Sequence, residues 1–168
     1  MSLQRNTTIA VILAIVVIII FVTLGFFGIR SLGGPSVELS GPQAILDELQ
    51  KTGTVSGLHI YDFTVGTGEE VQNGNLIAVH YTGVLPDGTV FDSSYDRGEP
   101  IVFQLGAGQV IQGWEQGLQG MRVGGRRLIA IPPDLAYGAN SVGSIPANAT
   151  LIFDVELVQI LPAATPAQ

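Results

Sequence analysis

The sequence predicts an α+β fold: a twisted antiparallel β-sheet wrapped around one short α-helix, preceded by one transmembrane helix. Three observations predict it. Beyond Thr54, apolar residues recur at every second position in one short run after another, the period of strands with one buried and one wet face. Within that set only one stretch, around Ile111 to Leu118, reads as a helix. Ahead of it, Ile9 to Ile29 is almost wholly apolar and carries no charge.

The elements follow in order. Residues 1–30 read as a transmembrane anchor, since about 20 apolar residues span a bilayer core. A cleaved signal peptide is the alternative. Its apolar region is shorter and ends at small residues, whereas this run ends in Phe26-Phe27-Gly28-Ile29-Arg30. Arg5 and the terminal amine before the span, against Arg30 after it, favour an inside amino terminus and an extracytoplasmic domain on a single-pass membrane protein. Residues 31–53 read as a linker with a short helix. Ser31 to Gly41 is rich in Gly, Pro and Ser. Pro42 to Lys51 follows, with Ser40 or Gly41 as cap, Pro42 in the first turn and Gly53 as stop. Ala44, Ile45, Leu46 and Leu49 give this helix an apolar side, which predicts docking on the domain, with a dimerising helix as the alternative. Residues 54–161 are the strand-rich domain. Strands are expected around His59 to Val65, Ile77 to Thr82, Ile101 to Leu105, Ile129 to Ile131 and Leu151 to Leu157, with turns at Gly66-Thr67-Gly68 and Pro86-Asp87-Gly88. Residues 162–168 read as a flexible tail.

Composition excludes several functions. The chain has 168 residues and a formal net charge of -7, and it has no basic face with which to neutralise phosphates, so no nucleic-acid partner is expected. Arg126 and Arg127 are adjacent on a strand and point to opposite faces. The chain contains no cysteine, which excludes disulfides and thiolate metal sites. His59 and His80 are lone strand histidines. No G-x-S-x-G, H-E-x-x-H or phosphate loop is present, and Gly106, Gly108 and Gly113 lack the βαβ setting of a dinucleotide fingerprint. Neither metal nor cofactor is expected.

The chemistry gathers around Leu105 to Met121, which holds the only tryptophan, Trp114, among Gly106, Gly108, Gly113, Gly117 and Gly120. Each glycine inside a helix costs roughly 1 kcal/mol relative to alanine. Close approach of a sheet to the helix would offset that cost. Trp114 is then either a large core residue or the floor of an apolar pocket rimmed by Val110 and Ile111. Tyr81, Phe91, Phe103, Tyr137 and Phe153 are expected near it, with Ile145 and the acid Asp92. Such a set is either an aromatic core or an apolar ligand site with a few polar groups.

Ordered blocks of sequence carry a resemblance. These are Val79-His80-Tyr81-Thr82-Gly83, Asp87-Gly88-Thr89-Val90-Phe91-Asp92-Ser93-Ser94, Gln109-Val110-Ile111-Gln112-Gly113-Trp114-Glu115, Pro133-Asp134-Leu135-Ala136-Tyr137-Gly138, Ile145-Pro146, and Ala149 to Leu157. Together, over roughly Thr54 to Leu161, they resemble the FKBP-type peptidyl-prolyl cis-trans isomerases. The resemblance implies a pocket walled by Tyr81, Phe91, Val110, Ile111, Ile145 and Phe153, with Trp114 as floor. It implies polar contacts from Asp92 and Tyr137, a substrate carbonyl on the Ile111 N–H, and Arg97 paired with the Asp92 and Tyr137 region. Ile101, Phe103 and Gln109 complete the implied substrate-binding set. It further implies proline-containing polypeptides as substrates and macrolides of the tacrolimus and rapamycin class as inhibitors. The chain departs from the family pattern at Ile101, where an aromatic is frequent, and at Gln109, where a glutamate is. Its loop Ala139 to Ser144 is slightly shorter and lacks the usual histidine. These changes bear on substrate preference and macrolide affinity. The alternative to an isomerase is a membrane-anchored chaperone or adaptor that holds proline-containing segments without turning them over.

Overall fold

The computed structural model describes residues 42–162. The anchor, residues 31–41 of the linker and the tail read from the sequence lie outside the described residues. Among the described residues no helix is long and apolar enough to cross a membrane.

The elements are α1 (Pro42–Thr52), β1 (His59–Thr64), β2 (Leu76–Val84), β3 (Val90–Ser93), α2 (Ser94–Arg97), β4 (Ile101–Gln104), α3 (Gln112–Gly117), β5 (Arg126–Ile131), a 3-10 turn at Pro133–Leu135, and β6 (Leu151–Leu161). All strand pairs are antiparallel. The sheet order is β1-β5-β6-β2-β3, with β4 also paired to β2. β3 and β4 share one edge of β2: Thr82 to Val84 face β3, and Leu76 to Val79 face β4. The one turn of α2 between them is capped by Ser93, whose side chain accepts from the Tyr95 N–H, and by Gly98 at φ 76°.

Period two assigns the two faces of the sheet. Ile77, Val79, Ile129, Ile131, Leu151 and Val155 are fully buried on the inner face, against α3. Each such aliphatic side chain contributes about 1.5–3 kcal/mol by leaving water. The α3 glycines permit this contact. A Cβ on Gly113 would fall onto the Ile131 side chain, and one on Gly117 would lie 2.9 Å from Ile129 Cγ2. The expectation that glycine brings sheet and helix together is met at both positions.

The outer face carries α1. Ile45 is buried with Val55 and Ala130, and Leu49, Leu128 and Ile152 pack around them. Glu48 closes the connection to β1, accepting from the Ser56 N–H at 2.7 Å and pairing with His59 Nε2 at 3.0 Å. Gly53, at φ 73°, ends the helix by donating its N–H to Leu49 O at 2.8 Å. The helix read as part of the linker is therefore part of the sheet domain, docked as its apolar side predicted. β1 stops at Thr64, short of the expected Val65, which is exposed.

Arg126 and Arg127 do point to opposite faces. Arg126 grips Asp154 on the outer face at 2.9 and 2.5 Å. Arg127 is buried on the inner side, where it binds both oxygens of Asp62 and donates to Gly117 O and Gln119 O. It thereby fixes the end of α3 to β5 and β1.

Candidate active site

A cavity of about 410 Å³ opens at one end of the sheet, within the range of small-ligand sites. The inward period of the strands supplies Tyr81 from β2, Phe91 with its neighbour Asp92 from β3, Ile101 from β4 and Phe153 from β6. Trp114 reaches it from α3, and Tyr137 from just beyond the 3-10 turn. The loop from Gly108 to Ile111 completes the wall.

Trp114 is 3% exposed and anchors an aromatic cluster. Tyr81 and Phe153 meet it edge-on, at 5.0 and 5.1 Å between ring centroids. Phe91 meets Phe153 in the same way at 5.4 Å. Edge-to-face contacts suit the quadrupoles of the rings. The two sequence alternatives for Trp114 are thus both true: it is a core residue whose face lines the cavity. Its Nε1 is buried without a hydrogen-bond partner among the described residues. An unpaired buried donor costs about 1–3 kcal/mol. Burying some 200 Å² of indole contributes about 5 kcal/mol, so packing outweighs the orphaned N–H.

The polar rim is a triangle. Tyr81 OH donates to Asp92 Oδ2. Arg97 donates from Nη1 to Asp92 Oδ1 at 2.6 Å and from Nη2 to Tyr81 OH at 2.8 Å. Burial pushes the Asp92 carboxyl up, but the hydrogen bonds from Tyr81 and Arg97, with the guanidinium charge, hold it below its ordinary value. The Tyr81 phenol is raised, first by burial and then by its bond to Asp92. The backbone beneath is held by the fully buried Ser94, whose Oγ accepts from the Tyr81 N–H at 2.8 Å. Tyr137 is 36% exposed at the mouth. Ile111, where the chain enters α3, makes no backbone hydrogen bond through its own N–H among the described residues.

The structure brings ten of the expected residues onto the cavity: Tyr81, Phe91, Asp92, Ile101, Gln109, Val110, Ile111, Trp114, Tyr137 and Phe153. Three expected residues lie off its lining. Phe103 is buried behind Trp114, at 5.7 Å, because β4 turns it to the core. Ile145 is buried in the same core, since paired bonds between Val142 and Ile145 close a tight hairpin there. Arg97 stands outside the lining; it pairs with Asp92 as expected, and its second bond goes to Tyr81 rather than to Tyr137. Gly108, which was not among the expected site residues, also lines the cavity. Ser94 and Glu115 have supporting roles that no periodicity announces. Among the described residues no cluster of His, Cys, Asp or Glu could hold a metal ion.

The model of the FKBP-type peptidyl-prolyl cis-trans isomerases matches residues 67–158. The chain belongs to this family. An FK506-binding protein of Neisseria meningitidis serogroup B is 50% identical over 107 residues, 63% of this chain and 98% of that protein. FK506-binding protein 2 of Debaryomyces hansenii is 66% identical over 87 residues; these are 52% of this chain and 64% of the relative. The crystal structure of AtFKBP13 superposes with a TM-score of 0.60 at 44% identity, covering 64% of this chain and 96% of that one. The resemblance read from the ordered blocks is thereby met: this FKBP domain is a peptidyl-prolyl cis-trans isomerase. Strand β1 and helix α1 precede the matched residues, so the sheet begins before the family match.

Proposed function

We propose that the aromatic cavity is where this isomerase turns X–Pro bonds, and that Ile9 to Ile29 tethers it to a membrane with the domain on the extracytoplasmic side. One observation carries the first part: the aromatic rings of Tyr81, Phe91, Trp114 and Phe153 line one cavity together with Asp92, Tyr137 and Ile111. The tether rests on the length and lack of charge of the Ile9–Ile29 run.

An X–Pro bond rotates over a barrier of about 18–20 kcal/mol because rotation breaks amide resonance. The planar amide separates charge between nitrogen and oxygen, and water stabilises it. The twisted state has lost part of that separation. An apolar box thus disfavours the planar form relative to the twisted one, which is differential binding in the required direction. The proline ring lies on Trp114. The Ile111 N–H and the Tyr137 hydroxyl hold the flanking carbonyls, so that rotation is confined to one bond. Asp92, kept ionised by Tyr81 and Arg97, orients the polar rim. No nucleophile, general base or cofactor enters the step. Proline-containing segments of folding proteins are the substrates, and macrolides of the tacrolimus and rapamycin class fit the same apolar box as inhibitors.

The test is exchange NMR on a short X–Pro peptide. The wild type is expected to accelerate cis–trans exchange, and Trp114→Leu is expected to weaken binding more than it slows turnover at saturation. Unchanged exchange with Trp114→Leu would move the site elsewhere. Binding without any acceleration by the wild type would make the chain a holder of proline segments.

A further inference from the structure

We infer that Glu115 is a positioning residue for isomerisation: its carboxylate winds the loop between β4 and α3 into the shape that the cavity wall requires. This rests on the cavity being the proline site. Glu115 follows Trp114 on α3, and it is not among the residues that line the cavity. Its two oxygens are divided between two backbone donors across the loop. Oε2 accepts from the Gly106 N–H at 2.5 Å, and Oε1 accepts from the Gly108 N–H at 2.8 Å. Both glycines hold positive φ, 85° and 69°, so both amides turn toward one point. A second tie closes the strand side, where Gln109 Oε1 accepts from the Gln104 N–H at 2.9 Å.

What this loop carries is the cavity wall. Gly108, Gln109, Val110 and Ile111 all line the cavity, and Ile111 offers the N–H assigned to a substrate carbonyl. The loop is largely exposed, with Gly106, Ala107, Gly108 and Gln109 all open to solvent. Apolar burial therefore does little to hold it, and two charge-assisted hydrogen bonds become the main restraint. The chemistry demands a carboxylate. Two N–H donors need two acceptors, and a carboxamide supplies one acceptor while aiming a donor at the second amide. An aspartate keeps both oxygens but is one methylene too short to span both amides.

The prediction is therefore an order among variants of the full-length chain. Glu115→Gln is expected to lower kcat/KM for an X–Pro peptide about tenfold, the size of one hydrogen bond to a charged group. Glu115→Asp is expected to fall between Gln and the wild type. Melting temperature is expected to change little, because the loop is exposed. The amide signals of Gly106 and Gly108 are expected to shift upfield and lose exchange protection in Glu115→Gln, while those of β5 and β6 stay in place. Trp114→Leu serves as the control for the cavity. If Trp114→Leu impairs the enzyme and Glu115→Gln does not, despite the shifted glycine amides, Glu115 has no positioning role. A loss in Glu115→Gln that merely tracks global unfolding overturns the proposal as well. If Trp114→Leu is itself without effect, the failure belongs to the site assignment.

Discussion

Asp92 stays charged because Tyr81 and Arg97 both donate to it, and that arrangement has a pH signature. Its depressed carboxyl contributes stability that is present above the unfolded value of about 3.9 and is lost as pH falls through the folded one. Tyr81 is raised, so its contribution is present below about 10 and is lost as pH rises through its folded value. Between about pH 5 and 9 neither group changes state. Both kcat/KM and melting temperature are expected to be flat across that window as far as this rim is concerned, and a titration of activity centred inside it would mean that another group controls the site. Arg97 and Asp92 are each 42% exposed at their side chains. An exposed pair contributes about 0–1 kcal/mol, so Arg97→Ala is expected to lower activity modestly and leave denaturant midpoints nearly unchanged. Tyr137→Phe keeps the ring and deletes one neutral hydrogen bond worth about 0.5–1.5 kcal/mol. The expected loss in catalytic efficiency is roughly threefold to tenfold with folding intact, read by the same peptide exchange. At this scale the residues legible in sequence were those in ordered family blocks. Ser94 and Glu115 lie in those blocks too, but their roles were not legible, because they act by binding backbone N–H groups several residues away, and such contacts leave no periodic trace.

Among the elements, the contact of α3 with β5 decides how the cavity floor is set. Gly113→Ala would gain about 1 kcal/mol of helix propensity, yet its Cβ meets Cγ2, Cδ1 and Cγ1 of Ile131 together. Overpacking of this kind costs about 1–3 kcal/mol, so a net loss is expected. Gly117→Ala meets Ile129 less closely, at 2.9 and 3.0 Å from Cγ2 and Cδ1, and is expected to be nearly neutral. Urea midpoints of both variants check the order, and Ile131→Ala should cost less in the Gly113→Ala background than in the wild type through coupling of touching residues. Equal effects at the two glycines would mean that the helix can shift away from the sheet without cost. The longer strands and their inward residues were legible because each follows a period; β3 was announced only by the Pro86-Asp87-Gly88 turn before it. The placement of Phe103 and Ile145 was not. Alternation says that a side chain points inward, but it does not say whether the inward space is open cavity or filled core. Phe103 backs Trp114, and Ile145 is turned to the core by its own hairpin.

For the whole molecule, the sheet separates two tasks. Its inner face carries α3 and the cavity, and its outer face carries α1, so the element nearest the amino-terminal run touches the side away from the chemistry. Ile45 is 2% exposed there. Ile45→Ala is expected to destabilise the domain by about 2–4 kcal/mol, while peptide exchange per folded molecule stays at the wild-type rate. The docking of α1 was legible from its apolar side; its membership of the domain was not, because the strand period begins only beyond Thr54 and so placed the boundary after the helix rather than before it. That placement bears on the tether. Ile9 to Ile29 is long enough to span a bilayer and has no charge to prevent it. The full-length chain is therefore expected to sediment with membranes and to resist extraction by alkali or high salt. A chain starting at Ser36 keeps α1 and every described strand, so it is expected to be soluble, folded and as active on a free peptide as the full-length protein. Recovery of the expressed protein in the soluble fraction, shortened near residue 30 by mass, would show a cleaved signal in place of an anchor.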